Sequence, residues 1–341
     1  MKKNTFKFFF MLIFLLVPMH VFAEGSLGNF SFDASQVSHP YDMINSKGEV
    51  IKYEEYSNDN AQFNDEIPSV EGTGEISPVQ IDSLIENHSY IDITPPPVII
   101  NDDSIASAPI LITPRIVIGD DSREKVENTK EFPYSAITYI ELEWPDGTSG
   151  SCTGTLIGKN KVLTNGHCVI DPKTKDSITS AKVYPGVNNS VGLFGSYNVN
   201  DYAVAANWAT TGSSSEDFAV LVLDVSKDNK QAGDVAGTLG IRQVNTLLNQ
   251  NIDIFGYPGD LMQASGEISQ FGMGGYITRE DASVAFYTID TAPGQSGSAL
   301  INRDNQIVGV HRGSFVINGN PMNGGPKMNT YMFNFVSKAL E

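Results

Sequence analysis

Asp290-Thr291-Ala292-Pro293-Gly294-Gln295-Ser296-Gly297-Ser298-Ala299-Leu300 sets one serine among glycines, just ahead of an apolar, strand-forming run. Glycine reaches backbone angles closed to other residues and lets a carbonyl approach the main chain closely. A serine in that setting can present its hydroxyl beside free backbone N–H groups, the arrangement that stabilises an oxyanion. Glycine and serine also make ordinary turns. The stretch gains its meaning from a second one far upstream, Leu163-Thr164-Asn165-Gly166-His167-Cys168, which supplies a base.

Between and around these two stretches the pattern is that of a β protein. From Tyr134 onward, short β-rich runs recur between Gly, Asn, Asp and Pro: Ser135–Trp144, Gly154–Ile157, Lys161–Thr164, Lys182–Tyr184, Phe218–Leu223, Ile252–Gly256, Val284–Ile289, Ser298–Ile301 and Gln306–His311. That spacing predicts an all-β sandwich or barrel. The one convincing helix is terminal: Tyr331, Met332, Phe335, Val336, Ala339 and Leu340 fall at helical spacing, with Asn329 or Thr330 as cap.

Serine is a poor nucleophile unless a base takes its proton and an acceptor orients that base. The chain has five histidines, and only His167 and His311 lie beyond the N-terminal third. His167 follows a β-like run and sits next to a cysteine that would pin it, which suits a rigidly held general base. Two aspartates compete for the orienting role. Asp217 opens Asp217-Phe218-Ala219-Val220-Leu221-Val222-Leu223, and Asp201 opens Asp201-Tyr202-Ala203-Val204-Ala205. The first run is longer and more apolar, so Asp217 is favoured as the residue at the mouth of a buried strand.

The formal net charge of −18 over 341 residues argues against nucleic-acid binding. It is unevenly spread: +3 over residues 1–23, −13 over 24–115 and −8 over 116–341. Lys2, Lys3 and Lys7 precede the apolar stretch Phe8–Val17, and Val21-Phe22-Ala23 ends in a small residue. This is the layout of a Sec-type signal peptide over 1–23, interrupted by Pro18 and His20 and short for a membrane anchor. An exported chain with two cysteines, Cys152 and Cys168, is expected to bridge them around His167, two free core thiols being the alternative. Residues 24–115 are acidic, weakly periodic and carry Thr94-Pro95-Pro96-Pro97, so they read as a partly folded propeptide. Pro114-Arg115-Ile116-Val117-Ile118-Gly119 offers a cut between Arg115 and Ile116 for an activating protease, or else an ordinary linker. No phosphate-binding loop or metal-binding helix is visible, so no metal or cofactor is expected. Nothing signals an oligomer, and a secreted monomer is expected.

The order His167, Asp217, Ser296 resembles that of the chymotrypsin-like serine peptidases. Ser151-Cys152-Thr153-Gly154, Thr164–Cys168, Asp217–Leu223, Gly256-Tyr257-Pro258-Gly259-Asp260 and Gly294-Gln295-Ser296-Gly297-Ser298 are most similar to the bacterial glutamyl endopeptidases of the staphylococcal V8 and Bacillus types. Val117-Ile118-Gly119 followed by Phe132-Pro133-Tyr134 also resembles the mature start of the Bacillus type. The resemblance spans Ile116 to the C-terminus. It implies a double β-barrel over 116–341, with one barrel over about 116–235, a second over about 236–328 and a helix over about 329–341. It puts the triad in the cleft and the oxyanion hole at the N–H groups of Gly294 and Ser296.

The animal digestive enzymes carry an aspartate immediately before the nucleophile, where it receives the ammonium freed by activation. Here that place is held by Gln295, which cannot form the ion pair. The resemblance therefore assigns the Ile116 amine to substrate binding, and it assigns Thr291 and His311 to a pocket for a glutamate side chain. Hydrogen bonds to such a carboxylate are charge-assisted and about twice as strong as neutral ones. Asp290 supports a competing expectation, since an acid at that offset directs trypsin-like enzymes to Arg and Lys. The expected activity is a secreted serine endopeptidase, made as a zymogen and cleaving protein or peptide substrates after Glu, with Asp weaker. Cleavage after Arg or Lys is the alternative, and a non-catalytic binding homologue is the third reading.

Overall fold

The computed structural model describes residues 27–28, 30–57, 67–76, 83–84, 92–100 and 117–341. The expected signal peptide over 1–23, the Arg115–Ile116 cut and the Ile116 amine lie outside the described residues. Among the described residues, those from Ile137 to Pro326 form two β-barrels and Thr330–Leu340 the terminal helix.

The first barrel comes from runs in which nearly every residue is apolar or small. Its six strands are Ile137–Glu143, Ser149–Gly158, Lys161–Thr164, Ser180–Pro185, Tyr197–Ala205 and Ala219–Leu223. Antiparallel neighbours follow the order 180–185, 137–143, 149–158, 161–164, 219–223, 197–205, and the last strand pairs back to the first at Lys182–Asn198. Closure removes the free sheet edges that would otherwise need covering. Ile137, Ile140, Leu156, Val162, Val183, Val199, Val204 and Leu221 fill the interior and are fully buried.

The second barrel uses Asn251–Gly256, Phe271–Glu280, Val284–Tyr287, Ala299–Ile301, Gln306–Val310 and Asn320–Pro326. A bridge between Gly309 and Lys327 links its two ends, and Gly313–Ile317 extends it as a hairpin on Asn320–Pro326. The terminal helix Thr330–Leu340 starts at Asn329, whose side chain accepts from the Met332 N–H at 3.0 Å. Met332, Phe333, Phe335 and Val336 turn inward from it. Three short helices join it: Ala206–Thr211, Ala232–Ala236 and Gly259–Ser265.

The strands Tyr197–Ala205 and Phe271–Glu280 are absent from the strand pattern read in the sequence. The first carries Asn198, Asn200 and Asp201, and the second carries three glycines, so neither presents an unbroken β-forming run. Asp201 is accordingly not at a strand mouth. It lies inside its strand and accepts from Ser46 Oγ and, at 3.1 Å, from the Ser46 N–H.

Parts of the acidic segment are woven into both sheets. Met43–Asn45 pairs antiparallel with Tyr197–Ala205 and buries Ile44 completely. Ser69–Val70 pairs with Gly240–Arg242. Val98–Ile100 runs parallel to Phe315–Ile317, with Val98 and Ile100 packed on Val284, Phe286 and Phe315.

Candidate active site

The strand Lys161–Thr164 ends in the single turn Gly166–Cys168, which places His167 on the rim of the first barrel. Gly166 is needed there, because a Cβ would meet the Trp208 indole at 2.6 Å. Cys168 is bonded to Cys152, sixteen residues upstream on the adjoining strand. Asp217 precedes the neighbouring strand Ala219–Leu223 and is fully buried. Its two oxygens both serve the histidine: Oδ1 accepts the His167 N–H at 2.9 Å, and Oδ2 lies 2.9 Å from Nδ1. The Asn165 side chain donates to the Asp217 carbonyl at 2.6 Å, fixing the aspartate from behind. With Nδ1 committed to the carboxylate, Nε2 is the free nitrogen, buried and without a partner among the described residues. A histidine so arranged can take up a proton at Nε2 while the carboxylate holds the ring.

Ser296 sits in the turn between the second-barrel strands Val284–Tyr287 and Ala299–Ile301. Gly294 and Gly297 have φ of 95° and 90°, and a Cβ on either would strike backbone at 2.5 and 2.1 Å, so only glycine fits. Gln295 N–H donates to Ala292 O at 3.0 Å and Ser298 N–H to Gln295 O at 3.0 Å, which curls the turn. The first barrel grips this turn through Thr153. Its N–H donates to Ser296 O at 2.8 Å and its hydroxyl to Gly294 O at 2.8 Å, while the hydroxyl accepts from Tyr257 N–H at 3.0 Å. Ser296 Oγ faces the Arg312 carbonyl at 3.5 Å. The bond from Oγ to His167 Nε2 is the one link of the expected triad not made in this arrangement.

Beyond the turn, His311 is buried and hydrogen-bonded through Nδ1 to the Tyr287 hydroxyl at 2.8 Å. Burial, with the nearby charges of His167 and Arg312 adding to it, pushes the His311 imidazole down to about 3. It is therefore a neutral ring at any ordinary pH. Thr291 is buried one residue after Asp290. The Asp290 carboxylate faces the other way: it accepts the Ile118 N–H at 2.8 Å and the Ser122 N–H at 3.0 Å.

Three contributors are given no role by the motifs. Thr153 joins the barrels, Tyr287 orients His311, and Arg312 is a buried guanidinium whose Nε lies 3.3 Å from Asp217 Oδ2 and whose Cζ lies 5.5 Å from the Phe315 ring centroid. Arg312 gives the buried aspartate a nearby cation, which offsets the cost of keeping that carboxylate out of water. Thr153 adjoins Cys152 in the quoted Ser151–Gly154 motif and Arg312 follows His311, so proximity to motif residues is the signal that could have found them. His167 and Arg312 line a cleft of about 930 Å³, which the tract Asp92–Val98 also lines.

A family model described as trypsin-like peptidase domain matches residues 152–310. The glutamyl endopeptidase of Bacillus licheniformis is 32% identical over 201 residues, which are 59% of this chain and 58% of that protein. A Staphylococcus aureus glutamyl endopeptidase is 29% identical over 227 residues, 66% of this chain and 64% of that protein. The chain thus spans between 58% and 64% of the length of these curated relatives. A solved Glu endopeptidase in complex with MPD is 44% identical, with a TM-score of 0.61 over 66% of this chain and 99% of that one.

Proposed function

The chain belongs to the glutamyl endopeptidase family of trypsin-like serine peptidases, and from that premise we propose that it is a serine endopeptidase cutting peptide bonds after glutamate, with aspartate weaker. The observation that carries the reading is the His167–Asp217 pair at 2.9 Å on one barrel, tied through Thr153 to the Gly294–Ser296 turn on the other.

His167 Nε2 takes the Ser296 proton as Oγ attacks the scissile carbonyl carbon. Charge develops on the carbonyl oxygen and is met by the Gly294 and Ser296 N–H groups. Asp217 holds the ring and balances the imidazolium. Collapse breaks the C–N bond, His167 returns the proton to the leaving amine, and an acyl-enzyme remains on Ser296. Water then attacks the acyl carbon while His167 accepts its proton; the bond to Ser296 Oγ breaks, His167 returns the proton to Oγ, and the carboxylic acid product leaves.

His311 and Thr291 receive the substrate carboxylate. We assign the Tyr287 hydroxyl as donor to Nδ1, which leaves the proton of the neutral ring on Nε2, the tautomer that can donate to a carboxylate. Asp290 has both oxygens occupied by backbone N–H groups, which counts against the Arg or Lys alternative.

The protein is exported through residues 1–23 and held latent by residues 24–115, whose tract Asp92–Val98 lines the cleft beside His167. A separate activating protease cuts between Arg115 and Ile116, and the mature enzyme is a monomer released outside the cell, its freed Ile116 amine assisting the substrate carboxylate. Among the described residues no helix is long and apolar enough to cross a membrane.

Two measurements test the reading. Processed protein should form an adduct on Ser296 with a fluorophosphonate, and absence of the adduct would support the binding-homologue alternative. A peptide panel varied at the residue before the cut should favour Glu; a preference for Arg or Lys would overturn the specificity.

A further inference from the structure

Gln295 stands where an acid would pair with a freed ammonium group, and the structure gives its side chain a different cation. Gln295 is buried, and its Oε1 accepts the Ala292 N–H at 2.9 Å and faces Arg123 Nη1 at 3.4 Å. The Arg123 side chain is 1% exposed and forks onto two carboxylates. It reaches Asp121 at 2.9 and 2.7 Å and Asp260 at 3.0 and 2.7 Å. Both of its routes inward end on the same turn. Gln295 is in it, and Asp260 lies in the helix Gly259–Ser265, whose Gly259 N–H donates to Pro293 O at 2.7 Å. The segment that carries Arg123 also caps Asp290 through Ile118 and Ser122, so residues 118–123 grip the stretch 290–295 at both ends.

A buried guanidinium is costly to desolvate, and paired forks of this kind recover the cost only with near-ideal geometry. Here that geometry delivers a rigid donor to the residue preceding the nucleophile. We propose that Arg123 is a positioning residue for the oxyanion hole: through Gln295 and Asp260 it holds the turn Ala292–Ser296 so that the Gly294 and Ser296 N–H groups converge on one point. The inference rests on the serine-peptidase reading above. It assigns to a side chain within the mature domain the work that an activation-dependent ion pair does in the animal enzymes, so the turn is set without the Ile116 amine.

The test compares processed wild-type protein with Arg123→Gln, Arg123→Lys and Gln295→Ala on a peptide cut after Glu. It adds inhibition by a peptide aldehyde ending in glutamate, whose adduct places an oxygen in the hole. For Arg123→Gln, kcat should fall about tenfold or more while KM stays within about twofold, and aldehyde affinity should fall in step with kcat. Arg123→Lys should recover part of the loss, since it keeps the charge without the fork. Gln295→Ala, which leaves both ion pairs intact, should repeat the kcat-selective defect and decides the matter if Arg123→Gln fails to fold. Unchanged kcat in these variants, or equal losses in substrate and aldehyde binding, would overturn the proposal. Failure of wild-type Ser296 to label with the fluorophosphonate would sink the serine-peptidase reading instead.

Discussion

His167 is held by its own neighbourhood. The disulfide fixes the next residue, Asn165 two positions earlier steadies Asp217, and the aspartate sits at the start of an adjacent strand of the same barrel. Ser296 is held from a distance: by Thr153 from the other barrel, by Ile118, Ser122 and Arg123 from the segment ahead of both barrels, and by the helix around Asp260. The base side is a local structure that could be recognised by its motif. The nucleophile side is an assembly point whose geometry exists only when the whole domain has folded. Partial unfolding of the second barrel would therefore disturb the Ser296 turn before it disturbed His167.

The comparison can be broken most severely on the base side. Asp217→Asn should keep the fold and lower kcat by about 10⁴-fold, because an amide stabilises the wrong tautomer of the ring and cannot balance the imidazolium. A loss under a hundredfold, measured on the glutamyl peptide, would mean that Asp217 is not the orienting group. Replacing Cys152 and Cys168 together by serine should cost about 3 kcal/mol in denaturant unfolding, the entropy of a loop of this size. If the base side is locally held, the activity of the folded fraction should change little. On the nucleophile side, Thr153→Val keeps the shape but leaves Gly294 O and Tyr257 N–H without this partner. A cost of about 1–3 kcal/mol and a visible fall in kcat are expected. A variant that loses stability with no change in kcat would show that the barrel contact does not position the turn.

The last effect is read as a slope against pH and concerns His311, held at about 3 by its surroundings against an ordinary value of 6.5. As pH falls below 6.5 the unfolded chain takes up a proton that the folded chain refuses until about pH 3, so stability is lost across that window. The slope should reach about 1.4 kcal/mol per pH unit. His311→Gln should flatten that part of the stability curve, followed by denaturant unfolding at stepped pH. An unchanged slope would mean that His311 protonates without penalty.

Much of this was legible in the sequence, for a physical reason. Residues that perform chemistry at a strand end need glycines and apolar runs beside them, so His167, Asp217 and Ser296 announce themselves through their neighbours. The two cysteines, the terminal helix with its Asn329 cap and the strands built from unbroken apolar runs were readable on the same grounds. Residues that act only through tertiary approach leave no such trace. Arg123 lies in the charged run Asp120–Lys125 and in none of the motifs, yet its guanidinium is buried between two carboxylates. Asp290 was ambiguous because its offset from Ser296 states a position and not a direction; the amides of Ile118 and Ser122 decide where it points. Tyr197–Ala205 carries no clear strand signal because Asn198, Asn200 and Asp201 interrupt it, with a bulge between Val199 and Asp201.

The interleaving of the acidic segment with both barrels bears on timing. Met43–Asn45, Ser69–Val70 and Val98–Ile100 are held by sheet pairing and not only by the covalent chain. If the chain is cut after Arg115, this pairing would keep the severed piece bound, and its release would be a dissociation governed by mass action. Under the proposed function, activity would then lag behind cleavage and rise further on dilution, so a concentrated sample would stay quieter than a dilute one.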